Sequence, residues 1–321
     1  MLPKEIGLEY HLDINILLAP FCPPFLDEEL MKKTPVEFIF LAFGEKTQYH
    51  SQLVYSMTSI AAHMPTDRDY NFTIVTDRTE FYQWLGDRFD VVGVDSNTLQ
   101  YWRGDVDFFW RIKIKAILSI ADSKPECHCV YLDTDTIADK SLDKMMEELD
   151  SGNNLMHIRE FDFHAPLGRT GKKMQSHGIG KTYGEFVMTL DSAMWNAGVV
   201  AISKLRDPSK VLSSALVACD AMCKDGMERR LVEQFSLSLA LQSTSICEAK
   251  HWIRHYWGNK PQWDALISSF FAKVLLQGKN FDQAVEMFKV QQHDIADVIK
   301  DTKVQKFRNS VVKRYKRLTG A

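Results

Sequence analysis

The stretch Val130-Tyr131-Leu132-Asp133-Thr134-Asp135-Thr136 constrains this chain more than any other. Its apolar half has the length and composition of a buried strand, and it stops at two aspartates one residue apart. A strand interior has no place for unpaired carboxylates, and open α/β sheets bind their ligands beyond the carboxyl ends of the strands. The pair therefore predicts a bound cation or proton chemistry at a strand end. The plainer explanation is an aspartate capping the helix expected from Ser141 onward. Asp139 or Ser141 serves for that cap, which leaves Asp133 and Asp135 free.

The surrounding pattern supplies a sheet for that strand to join. Apolar runs over residues 36–43, 72–77 and 90–95 read as strands, and helices are expected over 49–63, 81–89 and 108–121. Strand and helix alternating in this way predict a largely parallel sheet with helices on both sides. In the helix before the aspartates, Arg111 and Lys115 stand four apart and share one face. Beyond the aspartates, residues 154–158 read as a short strand. Residues 160–184, with five glycines, His164 and His177, read as a long substrate loop. Residues 194–202 read as one buried strand interrupted at Asn196-Ala197-Gly198, where something can approach the backbone. Helices follow over 209–223 and 228–241, the second carrying Glu233-Gln234, and a dense polar and aromatic loop runs from His255 to Trp263.

Composition excludes several classes. A chain of 321 residues, 45% apolar and with formal net charge −3, suits an ordinary globular protein and gives no global case for nucleic-acid binding. The six cysteines form no paired CxxC motifs, as expected of reduced thiols in a cytosol. Cys127-His128-Cys129 enters a strand, where alternation sends the two cysteines to one face and the histidine to the other, so structural cysteines are expected there. No window approaches the ~20 apolar residues of a membrane span, and the start of the chain does not read as a signal peptide. A cytoplasmic protein is expected.

In order along the chain, these motifs resemble the GT-A glycosyltransferases, most closely the glycosyltransferase family 8-like group. The resemblance spans roughly residues 36–263 and rests on Asp133-Thr134-Asp135, the Arg111 to Lys115 helix, Asn196 to Val199, Glu233-Gln234, and the loop from His255 through Gly258 and Lys260 to Pro261. It implies a Rossmann-like, mixed but mostly parallel sheet flanked by helices. The chain then divides into an arm over 1–34, irregular because it holds several prolines and no sustained period, a nucleotide-sugar-binding catalytic domain over 35–265, as the resemblance implies, and a helical C-terminal extension over 266–321. The resemblance further implies Mn²⁺ or Mg²⁺ on Asp133, Asp135 and His255, and a nucleoside diphosphate sugar donor, a UDP-sugar being favoured. Lys260 would reach the diphosphate, Arg111 and Lys115 would lie near donor sugar and phosphates, and Ala42, Phe43, Gly44, Tyr49 and Asp77 would hold base and ribose. Asn196 and Gln234 would bond sugar or acceptor hydroxyls, and Glu233 would stand nearest the anomeric carbon. Two aspartates and a histidine suit Mn²⁺ better than Ca²⁺. The implied reaction is sugar transfer, with retention, to a glycan or lipid-linked glycan.

Two other functions fit the same strand end. A haloacid-dehalogenase-type phosphatase would use Asp133 as nucleophile, although Ile137 stands where its motif continues and a whole α/β unit precedes it. A silent nucleotide-sugar or glycan-binding protein would keep the fold without turnover. Finally, residues 302–318 read as a helix with Val304, Phe307, Val311, Tyr315 and Leu318 on one side and seven basic residues around the rest. Two uses stand open for it: peripheral attachment to an anionic inner membrane face, or packing on the domain.

Overall fold

The computed structural model describes residues 33–291 of the chain. The basic helix expected over 302–318, and all but the end of the arm expected over 1–34, lie outside the described residues. β1, Val36–Ala42, is buried on both faces: Phe38 and Phe40 point into one apolar core and Ile39 into the other. α1, Thr47–His63, follows with Leu53, Met57 and Ile60 inward. β2 is Tyr70–Thr76 and β3 is Asp90–Gly93. Between them the expected helix is a 3-10 segment, Thr79–Arg88, broken by Gly86 at a φ of 64°. α2, Ser96–Arg103, has no counterpart in the sequence reading. Asp95, expected to close a strand, caps this helix by accepting from the Thr98 N–H at 2.7 Å.

α3, Arg111–Ser123, leads into β4, His128–Leu132, and the aspartates follow at its end. β5, Thr136–Ala138, precedes α4, Asp143–Asp150, whose first N–H donates to Ser141 Oγ at 3.2 Å. After β6, Asn154–Met156, the single long loop expected over 160–184 is ordered structure: β7, Arg159–Asp162; α5, Arg169–Gly178; β8, Thr182–Tyr183; and β9, Phe186–Val187. Its glycines misled because some serve packing. A Cβ on Gly178 would lie 2.4 Å from the Met188 sulfur. The strand expected over 194–202 is two strands, β10, Ala193–Trp195, and β11, Val199–Ile202. α6, Pro208–Lys224, and α7, Val232–Gln242, complete one flank. β12, Ile246–Glu248, and β13, Ile253–His255, precede α8, Lys260–Leu276, and α9, Phe281–Val290.

Seven strands form the central sheet in the order β12-β6-β11-β4-β1-β2-β3. All run in one direction except β11, which is antiparallel to both neighbours. Helices α3, α6 and α7 pack on one face, and α1, α4 and α9 on the other. The expected mixed, mostly parallel sheet flanked by helices is the fold of the chain. β4 lies at its centre, so its carboxyl end opens between the ends of β1 and the start of β11. No helix among the described residues is long and apolar enough to cross a membrane.

Candidate active site

The site begins with backbone pairing. After β4, the chain turns through Asp133-Thr134-Asp135 into β5, and β13 pairs antiparallel with β5 so that His255 stands opposite Thr136. The next residue extends the contact, with Tyr256 N–H donating to the Asp135 carbonyl at 3.0 Å. β11 approaches from the other side, and Asp133 N–H donates to the Gly198 carbonyl at 2.9 Å. The His255 ring then occupies the space over Gly198, where an added Cβ would lie 2.4 Å from Nδ1.

Three ligand-type atoms converge there, all within 4.8 Å of one another, from Asp133, Asp135 and His255. His255 Nε2 lies 3.3 Å from Asp135 Oδ1 and 3.9 Å from Asp133 Oδ2. The other Asp135 oxygen is ion-paired with Lys260 Nζ at 2.6 Å. Burial pushes the Asp135 carboxyl upward, but hydrogen bonds and charge from the His255 ring in its protonated form and from Lys260 outweigh it and hold the group well below the usual carboxylate range.

Beneath Asp133 sits a buried lysine that the sequence reading passed over. Lys113 Nζ is 3.2 Å from Asp133 Oδ1 and 3.1 Å from Glu233 Oε1, and it donates to the Ala197 carbonyl at 3.0 Å. Its Glu233 contact is an ion pair, and Glu233 Oε1 accepts no hydrogen bond among the described residues. The Tyr131 hydroxyl donates to the same Asp133 oxygen at 2.5 Å. Burial opposes the charge on Lys113, yet Asp133 and Glu233 together keep it protonated. Glu233 is only 8% exposed, and its burial raises the carboxyl pKa despite Lys113. It therefore stands behind Lys113 rather than facing solvent.

The hydrogen-bond network fixes which His255 nitrogen carries the hydrogen. Gly198 N–H can only donate and reaches Asn196 Oδ1 at 2.9 Å, so that atom is the amide oxygen. His255 Nδ1 is 3.2 Å from the same oxygen and must donate to it. In the neutral ring, Nε2 is left as a lone pair aimed at two carboxylates. Such a set calls for a positive charge between its members, either a proton or a cation. Two carboxylate oxygens and one imidazole nitrogen suit a divalent ion such as Mn²⁺ or Mg²⁺. The residues present thus fit the expected metal.

Asn196 and Gln234 border the same centre. Glu160 bridges them, accepting from Asn196 Nδ2 and Gln234 Nε2, each at 3.0 Å. Ala42, Phe43 and Gly44 end β1, next to β4 in the sheet, and Gly44 turns at a φ of 81° with its N–H donating to Asp77 Oδ1 at 2.8 Å. Tyr49 is exposed in the first turn of α1, with Lys46 Nζ 5.4 Å from its ring centroid. Ala42, Phe43, Gly44 and Asp77 thus stand at the neighbouring carboxyl ends of β1 and β2, with Tyr49 following in α1.

Arg111 and Lys115 are not brought to the cluster. The Arg111 guanidinium donates to both Asp220 oxygens at 2.7 and 3.0 Å and to the Trp102 carbonyl at 2.8 Å. Lys115 lies over the Tyr101 ring, and both basic residues line a separate 300 Å³ cleft. The helical face these two share turns toward Asp220 and Tyr101. Lys113 lies on the stripe of Ile117, and a lysine on an apolar stripe was the available signal. Tyr131 and Glu160 were also unassigned. Cys127 and Cys129 are both buried, and His128 bonds Asp150 and the Lys204 N–H instead of joining them.

No protein-family model matches the chain, and no curated protein matches it. Among solved structures it is similar to the galactosyltransferase LgtC in complex with donor and acceptor sugar analogues, at 15% identity and TM-score 0.43 over 67% of this chain and 73% of that one. An active-site mutant of LgtC is similar at 17% identity and TM-score 0.44, over 67% of this chain and 72% of that one.

Proposed function

We propose that the protein is a divalent-metal-dependent glycosyltransferase that moves a sugar from a nucleoside diphosphate sugar, with UDP-sugars favoured, to a glycan or lipid-linked glycan. One observation carries the proposal: the Nε2 lone pair of His255 converges with Asp133 and Asp135 at a strand end, beside Lys260. Asp133, Asp135 and His255 would hold the cation, Mn²⁺ or Mg²⁺. When bound, that cation supplies Lewis-acid neutralisation of the charge developing on a departing diphosphate.

The residues around the cation would then act as follows. Lys113 and Tyr131 hold Asp133 in place from below. Lys260, now on Asp135, turns to the diphosphate as a point charge once a cation neutralises the aspartates. Asn196 and Gln234 orient hydroxyls, while Ala42, Phe43, Gly44, Tyr49 and Asp77 accept the nucleoside at the adjoining strand ends. Burial and Lys113 keep Glu233 from acting as a base open to an acceptor, which favours retention, with the leaving phosphate taking the acceptor proton. Glu233 serves instead as the counter-charge that keeps Lys113 in position.

The test is turnover. Purified protein with Mn²⁺ is given a panel of nucleoside diphosphate sugars and glycan acceptors, beside Asp135→Asn. Metal-dependent release of nucleoside diphosphate that Asp135→Asn abolishes supports the proposal. No turnover, together with unchanged nucleotide binding in Asp135→Asn, sinks it. Phosphate release from phosphomonoesters through Asp133 would favour the phosphatase instead.

A further inference from the structure

Glu160 of β7 has no role in the chemistry described so far, yet it touches both amides at the site. A carboxylate only accepts hydrogen bonds. Glu160 Oε1 and Oε2 therefore draw the NH₂ groups of Asn196 and Gln234 toward themselves, each at 3.0 Å, and turn both amide oxygens the other way. The Gln234 oxygen turns to the Ala197 N–H at 3.4 Å. The Asn196 oxygen turns to the Gly198 N–H at 2.9 Å and to His255 Nδ1 at 3.2 Å.

We propose that Glu160 is a positioning residue for the metal centre: by fixing the Asn196 amide it keeps the His255 hydrogen on Nδ1 and leaves Nε2 open toward Asp133 and Asp135. This rests on the reading of those three residues as a cation site. A flipped Asn196 amide would present NH₂ to Nδ1, favour the opposite tautomer and put a hydrogen where the cation must bind. Partners that orient a ligating histidine in this way typically matter by 10–100-fold in metal affinity.

The experiment reverses the polarity of the bridge. In Glu160→Gln, one acceptor oxygen becomes a donor that meets the NH₂ of Asn196 or Gln234. In the double variant Glu160→Gln with Asn196→Asp, the new amide donates to the new carboxylate, still accepts from Gln234, and the total charge is that of the wild type. Mn²⁺ affinity is measured by calorimetry on the full chain. The His255 tautomer is read by NMR of histidine-labelled, metal-free protein at a pH where the ring is neutral.

The single variant should bind Mn²⁺ about tenfold more weakly and shift His255 toward the Nε2–H form, and the double variant should restore both. Wild-type affinity with an unchanged Nδ1–H form in Glu160→Gln overturns the proposal. If the wild type takes up no Mn²⁺, the metal reading fails. The NMR arm then decides by itself: loss of the Nδ1–H form in Glu160→Gln supports the positioning role, and its retention overturns it.

Discussion

Gly198 and His255 share one space: an ideal Cβ on the glycine would lie 2.4 Å from the histidine Nδ1. The absence of a side chain at the start of β11 thus lets a histidine from β13 reach the two aspartates at the end of β4. Gly198→Ala should drive the ring out of place. Mn²⁺ affinity, measured by calorimetry, should fall about tenfold or more, with an overpacking cost of about 1–3 kcal/mol in urea unfolding. Wild-type affinity in this variant would show that the ring position does not depend on the glycine.

Lys113 ties the centre to the core. Its ammonium meets Asp133 at 3.2 Å and Glu233 at 3.1 Å, and removing one member of a buried ion pair leaves its partners uncompensated. Lys113→Met should lose about 3–5 kcal/mol of stability in denaturant titration. Lys113→Met combined with Glu233→Leu should recover part of that loss, because the orphaned charge goes with its partner. Equal stability of the single variant and the wild type would contradict the pairing.

His128 gives the fold a pH dependence at the end of the sheet away from the aspartates. Its Nδ1 accepts from the Lys204 N–H at 3.1 Å, so the hydrogen lies on Nε2 and is donated to Asp150 Oδ1 at 3.0 Å. Burial holds the ring below the ordinary histidine range, against the raising pull of Asp150. The unfolded chain therefore takes up this proton first. The stabilising contribution is complete above about pH 6.5 and is lost as pH falls from there toward the depressed folded value. The urea midpoint of His128→Gln should vary less steeply with pH over that window than the wild type, and parallel slopes would refute the assignment.

What the sequence made legible follows from where each signal lies. The alternation of apolar runs and amphipathic spacing carried the sheet, and the aspartates marked its carboxyl edge. That edge was readable because a buried strand such as β4 tolerates few polar side chains, which makes Asp133 and Asp135 conspicuous. Pairing of β13 with β5 was not readable, since three-residue strands carry no period, and His255 was connected to the site only by resemblance to a family. Lys113 went unassigned because spacing shows which residues share a helix face but not which face looks inward. Glu160 was hidden for a different reason: an exposed glutamate in a polar stretch is ordinary until the fold sets two amides against it.

The most direct measurement of the central claim is paramagnetic resonance of Mn²⁺ added to the full chain. Asp133, Asp135 and His255 predict a bound Mn²⁺ with a nitrogen coupling from the imidazole, and a phosphorus coupling once UDP is added. His255→Ala should remove the nitrogen coupling, and Asp135→Asn should remove the bound ion. A Mn²⁺ signal without nitrogen coupling, or one that both substitutions leave unchanged, would contradict the assignment of these three residues as the metal centre.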